Sequence, residues 1–384
     1  MSGTATNNGI VYDPTTPDFA ARSHDIYRRL RDEAPVYVDP GQRFVAISRF
    51  ADVLAATSDW ATFSNTGKAE RQYSKPTMNS VDPPRHTKLR ALISRGFTPR
   101  RVQDMEQNVR TIARELLDRL PHTGRTDLIA DYAALLPSMV MGKLVGIPEK
   151  LVPVCRELTD EFMHHTQPSD ALGPATRSYE IFAELFDERR RNPKDDLLTA
   201  LLNAEVDGQR LDEDDLLAFG WLLLVGGNDT TTNLIGNGFE LFARHPEQRA
   251  QLRDDASTLA NGVDEVLRYA SPTHALPRTA LRDVELHGIT IPAGARVMLL
   301  WSAANLDERE FPDPERFDVH RRADRHLAFG HGTHYCLGAA LAKLEARVAW
   351  DELLQRFPDY ELIEEPRHFV SSTFYGWQAL EIEC

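Results

Sequence analysis

Three cysteines, at 155, 336 and 384, are too few and too scattered to staple a chain of 384 residues, which excludes a disulfide framework. At least one of them reads as a free thiol in a reducing compartment. No stretch approaches the roughly 20 apolar residues that a membrane-spanning helix needs. The opening MSGTATNNGIVYDP also lacks the basic start and apolar run of a secretory signal. The expectation is a soluble cytoplasmic protein without a membrane partner. Positive charge is in deficit, with a formal net charge of −14, and this argues against general nucleic-acid binding, which needs an excess of Lys and Arg on some face. Repeats, low-complexity runs and Gly/Ser linkers are absent, and Pro and Gly are spread along the chain. One domain over residues 1–384 is expected. Disorder is excluded by a 42% hydrophobic, 27% charged composition.

What is present is mostly helical patterning. HDIYRRLRDEA, QNVRTIARELLDRL, YEIFAELFDERRR and DEDDLLAFGWLLLVGG carry apolar residues at three- and four-residue spacing, so each buries one stripe. Strand signals are short. Residues 36–48 read as a hairpin around Pro40-Gly41, and residues 284–299 as a second. The predicted class is mainly α with small β-sheets. Residues 64–82 and 163–176 carry the least pattern, and unpatterned connections of that length are mobile or functional.

Chemistry concentrates in FGHGTHYCLGAALAKLEA, residues 329–346. A glycine-punctuated loop holds Cys336, and LGAALAKLEARVAWDELLQRF then reads as a helix. A thiol just before a helix start lies near unpaired N–H groups and the positive end of the dipole, which favours the thiolate. Gly330, Gly332 and Gly338 clear side chains from around it, so a bulky partner could approach the backbone. Three readings compete: a buried cysteine in a turn, a zinc site of His331, His334 and Cys336, and an axial thiolate to haem iron.

Phe329-Gly-His-Gly-Thr-His-Tyr-Cys-Leu-Gly338 closely resembles the haem-binding signature of the cytochrome P450 family in its bacterial soluble form. The resemblance implies that Phe329 opens the loop, Cys336 ligates the iron of haem b, and His334 meets a propionate. It also implies a single large P450-like domain, with haem between a long central helix and the helix after the cysteine loop. A second segment, LLLVGGNDTTTNL at 222–234, is a poor helix by itself: two glycines cost about 1 kcal/mol each against alanine, and three threonines weaken it further. Gly226 and Gly227 would let its backbone pass close to a ligand. Thr230, four residues beyond Gly226, can bond the freed carbonyl. Asp229-Thr230 resembles the family's acid–alcohol pair, which delivers protons to bound dioxygen. Gly226 departs mildly from the alanine more usual there.

Further segments follow the family's order. Glu265-Val-Leu-Arg268 resembles its Glu-x-x-Arg pair, expected to lock with an arginine near Phe317-Asp-Val-His-Arg321. Glu188-Arg-Arg-Arg191 has the same spacing and reads as a solvated face. His86 and Arg90, four apart on one helix face, and Arg278 resemble propionate contacts alongside His334. Arg85, Lys88, Arg90, Arg95, Arg100 and Arg101 occur with no acid between Asp82 and Asp104, and Arg321, Arg322 and Arg325 form a second basic group. Both suit an acidic ferredoxin-like donor.

The implied activity is a haem-thiolate monooxygenase that inserts one atom of O2 into a hydrophobic organic substrate. Electrons would come from NAD(P)H through ferredoxin and ferredoxin reductase, and the enzyme is expected to be a monomer. A peroxygenase and a haem sensor or carrier are the alternatives; Asp229-Thr230 counts against both. By resemblance the substrate would meet the 64–82 loop, the Phe162–Thr176 region, Leu222, Val225, residues 274–276 and Phe374-Tyr375, with His164, His165 and His274 as polar contacts.

Overall fold

The computed structural model describes residues 7–67, 77–121, 123–163, 172–206 and 208–383, without the side chains of Arg95, Pro99 and Val206. His164, His165, Cys384 and residues 68–76 of the 64–82 loop lie outside the described residues. The chain divides into two compact units. One comprises Met1–Gly67, Glu247–Cys336 and Arg367–Gln378; the other comprises Lys68–Pro246, Leu337–Pro366 and Ala379–Cys384.

The first unit is organised by a five-stranded sheet in the order Val36–Val38, Val45–Ile47, Arg296–Leu299, Leu276–Ala280, Phe63–Ser64. The period of two along each strand sorts its side chains into two cores. Val36, Val45, Ile47, Val297 and Leu299 join Phe50 and Val53 of the Phe50–Ser58 helix, with Trp301 and Phe311, on one face. Tyr37, Ala46 and Met298 join Phe19, Ile26 and Leu30 of the Phe19–Glu33 helix on the other. The expected first hairpin is there, pairing Val36 with Ile47 and Val38 with Val45.

The second hairpin is shorter than its pattern implied. Val284–Leu286 pairs with Ile289–Ile291 around His287 and Gly288, both at positive φ (50° and 75°), a tight reversal suited to paired strands. Arg296–Leu299 leaves that hairpin for the sheet, between Leu276–Ala280 and Val45–Ile47. Val297, Met298 and Leu299 are apolar on both faces, and only a central strand buries both.

Glu265 and Arg268, both 0% exposed, lie one turn apart on the Ala256–Tyr269 helix. Arg268 donates through Nε at 2.7 Å and Nη2 at 2.8 Å to the Glu265 carboxylate, which also takes Arg321 Nε at 3.2 Å and the Asp318 N–H at 3.0 Å. The lock expected from the sequence is present. It removes Arg321 from the basic surface group, because that side chain is only 13% exposed.

The second unit is helical. The Ala339–Arg356 helix packs on Glu106–Leu117 and on Asp229–Arg244. Its Trp350 is fully buried, donates its indole N–H to the Ile235 carbonyl at 3.1 Å, and meets the Phe242 ring edge-on at 5.1 Å. All four helices anticipated from the quoted stretches form, as Phe19–Glu33, Glu106–Leu117, Leu172–Arg191 and Glu213–Gly227. In the 188–191 stretch Arg190 and Arg191 are exposed, as the solvated-face reading expects, but Arg189 is not. Arg189 is 3% exposed and bonds Asp196 at 2.5 Å and the Gly146 carbonyl at 2.6 Å.

Candidate active site

Residues 222–234 form two helices rather than one. Glu213–Gly227 ends and Asp229–Arg244 begins at Asn228, with φ −85° and ψ −75°. Thr230 Oγ1 donates to the Gly226 carbonyl at 2.9 Å, so the hydroxyl serves the backbone at the break. A Cβ built on Gly226 would meet nothing within 4 Å, whereas one on Gly227 would strike Met141. Gly227 therefore abuts one flexible side chain, and Gly226 fronts open space.

Asp229 is buried, and its helix packs against the Val152–Met163 helix that carries Thr159 and Asp160. Desolvation first, and the Asp160 charge second, push its pKa up to about 8. Its Oδ2 is buried without a partner among the described residues, as is Nδ2 of Asn233 one turn on. Asp160 escaped the sequence reading: it lies on another helix 69 positions away, in a segment with no motif of its own.

The cysteine loop belongs to the first unit. Gly330 and Gly332 adopt φ +68° and +67°, conformations that favour glycine. A Cβ on the first would meet the Trp301 ring at 3.4 Å, and on the second the Ser58 backbone at 3.5 Å. The Cys336 N–H bonds the Phe329 carbonyl at 2.9 Å, closing the loop. Cys336 is in no disulfide and is exposed, which removes the reading of a buried structural cysteine. Among the described residues no three His, Cys, Asp or Glu side chains gather into a metal site, so the zinc reading falls as well.

The remaining reading fits the residues. An exposed thiol on a pinned loop is a single-point ligand, suited to a metal that brings its own equatorial donors. His86, on the Arg85–Ile93 helix, is 1% exposed. Burial, then the Arg90 charge, lowers its pKa, which favours a neutral imidazole that can donate one N–H. Arg278 is 5% exposed on the Leu276–Ala280 strand, and His334 lies half-buried in the cysteine loop. Cys336, Phe329, His334 and Arg278 belong to one unit; His86, Arg90, Gly226, Asp229 and Thr230 belong to the other.

A profile of the family described as Cytochrome P450 matches residues 170–363. Putative cytochrome P450 123 of Mycobacterium tuberculosis is 38% identical over 370 residues, covering 93% of this chain and 92% of the relative. The chain belongs to the cytochrome P450 family. Another relative, cytochrome P450 monooxygenase PikC of Streptomyces venezuelae, is 39% identical and covers 92% of this chain and 88% of its own. Among solved structures, cytochrome P450 CYP109Q5 from Chondromyces apiculatus matches with TM-score 0.91 at 36% identity, covering 97% of both chains. CYP109E1 from Bacillus megaterium, solved with testosterone, matches at 0.86 and 30%, covering 97% of this chain and 99% of its own. The mainly helical fold with small sheets is thus the P450 fold, and the chain is a P450 monooxygenase, of a family that uses haem and dioxygen. Among the described residues no helix is long and apolar enough to cross a membrane.

His274 does not stand as an exposed polar contact for a substrate. It is 2% exposed, its Nδ1 lies 3.1 Å from the Tyr27 hydroxyl, and its N–H and carbonyl bond Thr373 and Ser302. Burial lowers its pKa to about 4, so it stays neutral and ties three segments together. Leu222 and Val225 are partly exposed, as are Phe374 and Tyr375.

Proposed function

We propose that this P450 inserts one atom of dioxygen into a C–H bond of a hydrophobic organic substrate, as a single-domain cytoplasmic monomer, with electrons from NAD(P)H delivered by ferredoxin reductase and a ferredoxin. The observation that carries the reading is the exposed Cys336 thiol on the loop pinned by Gly330, Gly332 and the Cys336–Phe329 bond. By the family resemblance, haem b would be held through Cys336, with His86, Arg90, Arg278 and His334 as its propionate partners, and would supply dioxygen binding and electron storage.

The chain's own residues do the rest. Gly226 leaves room for a bound ligand, and Phe329 closes the loop through its carbonyl. Asp229, held partly protonated near neutrality, has a proton to give. Thr230 offers its hydroxyl beside the Gly226 carbonyl. Leu222 and Val225 support an apolar substrate, and the steroid bound to CYP109E1 is of that class.

Replacing the ligand tests the reading. Wild-type protein expressed with ample haem should give the red-shifted ferrous carbonyl band of a thiolate-ligated haem, and Cys336→Ser should lose that band. An unaltered band would overturn the assignment.

A further inference from the structure

One fully buried side chain joins the Glu265–Arg268 lock to the cysteine loop. Asn305 ends the short Trp301–Asn305 helix and is 0% exposed. We propose that Asn305 is a positioning residue for the thiolate: it fixes the segment that enters the cysteine loop against the Glu265–Arg268 lock, and thereby sets where Cys336 presents its sulfur. This rests on the reading of Cys336 as the iron ligand.

Three observations carry it. The backbone carbonyl of Asn305 accepts Arg268 Nη1 at 3.0 Å, so the residue is anchored to the lock. Its side chain reaches two ways: Oδ1 accepts the Leu327 N–H at 2.6 Å, and Nδ2 donates at 2.9 Å to Ser271 Oγ, whose own hydroxyl donates to the Leu267 carbonyl at 2.7 Å. From Leu327 the chain runs directly into the loop, where the Leu327 carbonyl accepts the Gly330 N–H at 2.8 Å and the Phe329 carbonyl accepts the Cys336 N–H at 2.9 Å. A second side chain holds the next N–H. Ala328 donates to His326 Nδ1 at 3.1 Å, which leaves the ring proton on Nε2, 3.2 Å from Asp264.

Among the described residues Glu265 and Arg268 bond Asn305, Pro314, Arg316, Asp318 and Arg321, and nothing from 327 to 336, so Asn305 relays the lock to the loop. The position admits little besides asparagine. Leu327 is 1% exposed, so its N–H needs an acceptor from the protein. Ser271 has given its proton to Leu267 and takes a donor from its neighbour. Of side chains this short, Asn and a protonated Asp offer acceptor and donor together. An apolar residue would strand the Leu327 N–H, and the segment would shift to find another partner, carrying the Phe329 carbonyl and the Cys336 N–H with it.

Asn305→Ala and Asn305→Asp would be compared with wild type in the haem-loaded protein. The readings are the ferrous carbonyl band, the rate at which it converts to the blue-shifted band of a lost thiolate, the ferric electron-spin-resonance lines and the urea midpoint. Asn305→Ala should convert about tenfold faster, the fold-change expected when one buried N–H loses its acceptor, and its resonance lines should shift. Asn305→Asp should return both to wild type even where its urea midpoint stays low, because the acceptor, and not stability, sets the sulfur. Wild-type conversion and lines in Asn305→Ala, with a lowered midpoint, would mark a merely structural side chain and overturn the proposal. An Asn305→Asp protein that behaves as Asn305→Ala, or that fails to load haem, would overturn it too. In wild-type holoenzyme the Leu327 amide should exchange hydrogen as slowly as the Ala256–Tyr269 helix; fast exchange would overturn it without any variant. A wild type that never shows the red-shifted band would remove the Cys336 reading itself, and this role with it.

Discussion

Glu265 shows how much can rest on one carboxylate. It is the countercharge of Arg268, which has no exposure, and it also holds Arg321 and the Asp318 N–H. Neutralising it strands a guanidinium that cannot reach water, so Glu265→Gln should cost about 3–5 kcal/mol, measured as a shift of the urea midpoint. Asp229 makes the opposite case, a carboxyl destabilised by folding. Its pKa rises from 3.8 to about 8, so the folded chain holds a proton that the unfolded chain releases near pH 4. Its contribution to stability is whole below pH 4 and lost as pH rises to about 8. Asp229→Asn should flatten that slope in melting temperatures recorded across pH 4–8. Sequence reading found Glu265, Arg268 and Arg321 because their order along the chain is distinctive. It missed Asp160 because the neighbour of a buried acid is chosen by packing, and packing leaves no local signature in one sequence.

At the level of elements, three glycines of the central helices separate cleanly. Gly238 faces the buried Trp350 ring, where an added Cβ would fall 2.3 Å away; the indole is pinned by its bond to Ile235. Gly238→Ala should therefore cost about 1–3 kcal/mol by overpacking, whereas Gly227→Ala meets only the flexible Met141 side chain. Gly226 fronts open space. Gly226→Ala should stabilise the haem-free chain by up to about 1 kcal/mol through helix propensity, yet weaken carbon monoxide binding in the loaded enzyme. Denaturant midpoints and carbonyl titration read the two effects separately. The poor helix-forming residues at 226–232 announced that something unusual happens there. They did not announce a break at Asn228, because apolar period alone runs straight through it. The same limit explains the second hairpin: a period of two marks Arg296–Leu299 as a strand but does not name its neighbours.

For the molecule as a whole, the open matter is how an acidic protein, net −14, would receive an acidic electron donor. Counting charges along the sequence overstates the basic surface. Arg321 is spent in the Glu265 lock, Arg325 bonds Glu310 at 2.8 Å, and Arg85 bonds Asp215 at 2.8 Å. Lys88, Arg100 and Arg101 remain exposed on one unit, and no acid interrupts the chain between Asp82 and Asp104. Against a long-range negative field, such a group matters mainly by raising the encounter rate, and its effect fades once the Debye length shrinks to about 8 Å at physiological salt. Lys88→Glu with Arg101→Glu should thus slow reduction by a ferredoxin about tenfold at low ionic strength and flatten the dependence of that rate on salt. Neutralising Arg85 and Asp215 together should change it little, because that pair carries no net charge. Stopped-flow reduction at several salt concentrations checks both, and equal rates for the double variant and wild type would place the donor elsewhere.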